Sequence, residues 1–189
     1  MSKKFNKRIY NSKSFFRDIS FMMKNMRNIS GIKKNKEISK AFFEKIMTVV
    51  TAVNGCVYCK WFHAKKAVQS GVSAKEVKEL FNLQFNADAN DFEMPGLLYA
   101  QHYAETNRNP DKEMTENLFN FYGKPTADHI ILIIRMIFFG NLSGNTFDAF
   151  LARFKGQKAE NSNFFFEFFV FIVSAPILVP TMPLVKKHR

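Results

Sequence analysis

Cysteine is scarce in this chain: there are two in 189 residues, both inside Cys56-Val57-Tyr58-Cys59. A pair three positions apart cannot staple distant segments, so a disulfide framework is excluded and a reducing, cytoplasmic compartment is expected. Glycine and proline are also few, at 8 and 6, beside 23 phenylalanines. That balance suits a helical interior packed with aromatic rings. The N-terminus lacks a continuous apolar stretch followed by small residues, so no secretory signal is expected. No repeat of solenoid period is visible. Acidic residues number 16 against 28 basic ones, for a net charge of +12, and the excess is unevenly placed. Residues 1–36 carry +10 with Asp18 as their one acid, while residues 37–185 sum to about −1. Basic ends of this kind fit an anionic membrane surface or an acidic partner. They are a weak footprint for nucleic acid, because no nucleic-acid motif accompanies them.

At 47% hydrophobic residues, 189 residues are enough to bury one core. Residues 1–13 read as a basic arm. Phe15, Phe16, Ile19, Met22, Met23 and Met26 recur at helical spacing and predict an amphipathic helix, which suits packing, an oligomer contact or a membrane surface. Gly31 and the lysines at 33, 34 and 36 read as a linker. Ser39 starts a helix through Val53 that Asn54-Gly55 breaks, and a new one begins near Cys56 and closes at Gly71. Ser73 to Glu76 is a capping box for a short helix. A polar loop near 86–91 precedes helices over 97–103, 111–122, 130–139 and 141–154, with stops expected at Gly123 and Gly140. No strand alternation appears, so an all-α bundle of seven to eight helices is expected, with a basic N-terminal arm and an apolar C-terminal segment. The expected divisions are 1–37, 38–155 and 156–189. Within the last, residues 164–185 are apolar apart from Glu167 but interrupted by three prolines, which favours docking on the body or a neighbouring subunit over a straight span. Arg135, inside the apolar helix, needs a partner, and Asp148 is a candidate.

The chemistry concentrates in Cys56 to His63. On a helix, Cys56, Cys59 and His63 share a face, and an imidazole one turn beyond a thiol can take its proton directly or through one water. The first turn of a helix also lowers the pKa of a thiol placed there. Three readings are open. Dithiol redox chemistry leads, because the histidine sits on the thiol face. Zinc would have three ligands here, since His102, His129 and His188 lack ligand spacing. Inert, buried cysteines are the third. Trp61 and Phe62 read as pocket wall or core.

Glu44, followed by Cys56-Val57-Tyr58-Cys59 and His63, resembles the signature of the alkylhydroperoxidase D and carboxymuconolactone decarboxylase superfamily. Thr51 to Gly55 before the motif, Ala67 to Ser73 after it, and the segments 95–100 and 140–148 are similar to that family's framework, so the resemblance covers about residues 38–155. It implies an AhpD-like helical fold, assembly as trimers or hexamers, and a thiol peroxidase. By position, Cys59 would be the attacking thiol, Cys56 the resolving thiol, His63 the base and Glu44 the group that orients the imidazole. The implied partners are a hydroperoxide substrate and an external dithiol donor, lipoamide or a thioredoxin-like protein, with no bound cofactor or metal. Tyr58 stands where some peroxidase members carry a second histidine, and tyrosine does not titrate near neutrality. Lactone decarboxylation is not expected, because that branch generally lacks the thiol pair. The alternative function is non-enzymatic: a protein that binds membrane surfaces through its basic arm and apolar tail, with the bundle as scaffold.

Overall fold

A computed structural model of the chain describes residues 5–85, 92–160 and 162–187. The polar loop expected near 86–91 lies outside them. The described chain is all-α: α1 (Ser12–Lys24), α2 (Met26–Gly31), α3 (Lys40–Asn54), α4 (Val57–Gln69), α5 (Ala74–Phe81), α6 (Met94–Glu105), α7 (Lys112–Arg153), α8 (Phe164–Leu178) and α9 (Met182–Lys187). Among the described residues the only β pairing is an isolated bridge between Phe5 and Ala159.

Helix α7 is the axis, with α3, α6, α8 and α4 packed around it. Its buried positions include Ile130, Ile133, Ile134, Phe138, Leu142 and Phe147, so it presents apolar side chains to several neighbours at once. The expected stop at Gly123 is present as a kink, where the residue takes φ 69° and ψ 164°, and Pro125 follows in the first turn of the second limb. The expected stop at Gly140 is overturned, and the helix runs through it to Arg153. Glycine inside a helix costs roughly 0.5–1 kcal/mol against alanine. Burial of Ile137, Phe138, Leu142 and Phe147 on either side outweighs that preference. Near the N-terminus, the linker expected from Gly31 is also revised. Asn25 ends α1 by donating its side-chain amide to Phe21 O at 2.9 Å, and helical turns then continue through Lys34.

Local chemistry sets the α3–α4 hairpin. Ser39 accepts the Phe42 N–H at 2.9 Å to open α3, and Gly55 closes it in the left-handed region at φ 69°, where a side chain would be strained. Ser73 caps α5 in the same way, accepting the Glu76 N–H at 3.1 Å, while the Glu76 carboxylate pairs with Lys45.

Residues 5–10 run along the body. The Tyr10 N–H donates to Thr146 Oγ1 at 2.9 Å, Lys7 pairs with Asp148 at 2.7 Å, and Arg8 donates to the Glu105 carbonyl at 2.9 Å. Asp18, buried in α1, accepts from Tyr10 at 2.8 Å and pairs with Arg108. That carboxylate and burial together hold the Tyr10 phenol well above its usual pKa, burial being the larger cause.

The C-terminal segment docks on α7 through Glu167, which is 1% exposed and paired with Arg153, and through Phe171, stacked on Phe147 at 4.9 Å. Among the described residues, two helical stretches are long and apolar enough to cross a membrane: α7, which is mostly buried, and residues 164–185, which are mostly exposed.

Candidate redox site

Cys56 occupies the N-cap of α4, and its Sγ accepts the Cys59 N–H at 3.3 Å. The two cysteines are disulfide-bonded, with Cα atoms 5.3 Å apart. Their surroundings differ. Cys56 is fully buried, whereas Cys59 is part-exposed. One turn further, His63 Nδ1 lies 2.8 Å from Glu44 Oε2, joining α3 and α4 through a part-buried pair. An ionised carboxylate only accepts, so the proton of this bond sits on Nδ1 and the Nε2 lone pair is left to receive one. The α3–α4 hairpin thus carries two pairs, the Cys56–Cys59 disulfide at the start of α4 and the His63–Glu44 contact one turn along it. Lys45, the next residue on α3, pairs with Glu76 and Glu93. Among the described residues no group of three or more His, Cys, Asp or Glu side chains is arranged to hold a metal ion.

Helix α7 closes the other side of the disulfide. A Cβ added at Gly144 would lie 2.8 Å from Cys56 Sγ and 3.9 Å from Cys59 Sγ, so the α7 backbone approaches the sulfurs at a distance only glycine permits. Beside it, Asn145 donates to the Asn54 carbonyl at 2.8 Å and the Arg8 carbonyl at 3.1 Å, tying the turn before Cys56 to the N-terminal segment. Asp148, one turn on, accepts from the Tyr58 hydroxyl at 2.8 Å and pairs with Lys7. The expected Asp148–Arg135 pair is therefore replaced. Arg135 instead stacks its guanidinium on Phe21, 3.2 Å from the ring centroid, and burial lowers its pKa. Val185 of α9 packs with Cys56, Tyr58 and Phe147, so the C-terminal segment seals this side of the motif. A cavity of about 420 Å³ opens beside it, lined by Lys7, Val57, Tyr58, Asp148 and Met182 among others.

Gly144, Asn145 and Asp148 are the site residues that motif reading missed. They stand in the segment noted for its framework resemblance, but nothing in their spacing reveals that Gly144 meets the sulfurs or that Asn145 and Asp148 hold Asn54 and Tyr58 beside them.

Gly144→Ala is expected to destabilise the oxidised protein by about 1–3 kcal/mol, because a buried sulfur held in a disulfide cannot retreat from the new methyl group. Gly140→Ala on the same helix meets nothing within 4 Å, so it is expected to be neutral or to stabilise by up to about 1 kcal/mol through helix propensity. Urea denaturation of both variants checks the pair. Equal midpoints would mean that α7 does not press on the disulfide.

An all-helical protein with a C-x-x-C disulfide at the N-terminus of a helix that also carries the histidine of a carboxylate–imidazole pair is the class that the fold and site define. Residues 22–92 match the family described as Carboxymuconolactone decarboxylase family, which is the AhpD-like superfamily. The match takes in all four motif residues and α3 to α5. It begins earlier than residue 38 and stops before α7, so the segments 95–100 and 140–148 fall outside it. No curated protein and no solved structure matches the chain.

Proposed function

We propose that the protein is a thiol-dependent peroxidase or dithiol–disulfide oxidoreductase. The observation that carries this reading is the 2.8 Å contact between His63 and Glu44, one helical turn from a disulfide that joins a buried cysteine to an accessible one. In the reduced protein, His63 Nε2 takes the Cys59 thiol proton, and the positive end of α4 stabilises the thiolate. The thiolate attacks the terminal oxygen of a hydroperoxide. The O–O bond breaks, the alcohol leaves with a proton returned from the imidazolium, and Cys59 becomes a sulfenic acid. Cys56 then attacks the Cys59 sulfur, forming the disulfide and releasing water. An external dithiol, lipoamide or a thioredoxin-like protein, reduces the disulfide by thiol–disulfide exchange and becomes oxidised itself. Glu44 acts as a positioning residue that fixes the imidazole tautomer.

What supports the order of attack is exposure: Cys56 is sealed by α7 and α9, so an incoming oxidant reaches Cys59 first. Tyr58 has its hydroxyl engaged by Asp148 and takes no proton in this scheme. The test is peroxide consumption monitored with dihydrolipoamide or reduced thioredoxin as the donor. Many turnovers per protein are expected with at least one donor. Reduction of the disulfide without peroxide turnover would restrict the function to disulfide exchange, and failure of both would remove the reading.

A further inference from the structure

The strongest feature outside the redox site is a continuous face formed by α1 and α8. Phe165 (79% exposed), Ile172, Val173 and Ile177 (73% exposed) stand outward on α8. The ring of Phe169 joins them to α1, lying 6.3 Å from Phe16, which is itself 55% exposed. On α1 the exposed apolar residues Phe16 and Met23 share their helix face with the exposed bases Lys13, Arg17 and Lys24. Each of the two helices has a single acid, and both acids are withdrawn into the protein. Asp18 is 6% exposed and held by Arg108, and Glu167 is 1% exposed and held by Arg153. The outward face is therefore apolar and cationic with no exposed carboxylate.

We propose that this α1/α8 face docks the protein flat on an anionic lipid bilayer. A spanning mode does not fit, although residues 164–185 have the length for it. The far end of α8 turns into a 3₁₀ segment at Val179–Thr181, and Val185 is buried back against Cys56 and Phe147. Withdrawing α8 to span would carry Glu167 away from Arg153 into lipid. Lying in the interface keeps Glu167, Val170 and Phe171 on α7 and sinks only Phe165, Phe169, Ile172 and Ile177 among the acyl chains. Lys13, Arg17 and Lys24 remain at headgroup level. Charge complementarity selects the bilayer over a second copy of the chain, because two such faces would bring cations against cations with no carboxylate between them.

The test uses the full chain with vesicles of phosphatidylcholine alone or mixed with phosphatidylserine, read by co-sedimentation. Binding to the mixed vesicles at low salt, weakened as salt rises, is expected. The triple variant Lys13→Glu, Arg17→Glu, Lys24→Glu is expected to partition about a hundredfold more weakly or worse. Phe165→Glu with Ile177→Glu, at highly exposed positions that leave the core intact, is expected to lose at least about tenfold. Absence of binding to the mixed vesicles, or full retention by either variant, overturns the proposal. So does a wild-type oligomer that Phe165→Glu with Ile177→Glu converts to monomer without any vesicle binding, since the face would then belong to a second copy. Cys59→Ser is expected to bind vesicles as the wild type does, so docking and redox chemistry stand or fall separately.

Discussion

Cys59→Ser is expected to reduce peroxide consumption at least about a thousandfold, and Cys56→Ser is expected to stop the cycle one step later. The asymmetry follows from burial and position. Cys59 is part-exposed in the first turn of α4, four residues before the proposed base His63, so an oxidant can reach it. Cys56 lies under α7 and Val185 and reaches only the neighbouring sulfur. With Cys56 replaced by serine, one equivalent of peroxide is still consumed and Cys59 gains one oxygen as a sulfenic acid. With Cys59 replaced, Cys56 stays unmodified in its buried cap position. Mass spectrometry of each variant after peroxide separates the two. Oxygen accumulating on Cys56 in the Cys59 variant would reverse the assignment of attacking and resolving thiols.

The second large effect belongs to the proposed proton relay. His63→Gln removes the proposed base, with an expected loss of about 10²–10⁴ in rate. Glu44→Gln keeps a hydrogen-bonding group in place but no longer fixes which ring nitrogen carries the proton, so a smaller loss, in kcat rather than KM, is expected. Comparing the variants at equal folded fraction, checked by circular dichroism, separates this loss from a change in stability. An unchanged kcat would mean that Glu44 only packs against His63.

The pairing of Cys56 with Cys59 was legible in the sequence because a three-residue spacing brings side chains to one helix face, whereas Glu44 was singled out by the family resemblance and meets His63 across two helices. Cys56, Cys59 and His63 lie within three turns of one helix, and Ser39 and Gly55 mark both ends of the helix that carries Glu44. The all-α class was legible as well, since few glycines and prolines leave long apolar periodicities unbroken. Long-range packing was not legible. Gly140 reads as a stop, yet the side chains around it are buried and the helix continues. Arg135 reads as needing a carboxylate, but Phe21 offers a ring face from a helix more than a hundred positions away. Asp148 is committed to Tyr58 and Lys7, and the contact between Gly144 and Cys56 joins positions 88 residues apart. Local spacing carries no information about such meetings. They are decided when α7 passes across the mouth of α4.

The most direct measurement is the intact mass of the fully reduced protein after one equivalent of hydroperoxide, with the disulfide located by digestion. The redox assignment predicts rapid loss of two hydrogens, assigned to a bond between Cys56 and Cys59. Slow oxidation at a rate no greater than that of the unfolded chain, or a product in which Cys59 is untouched, would contradict it.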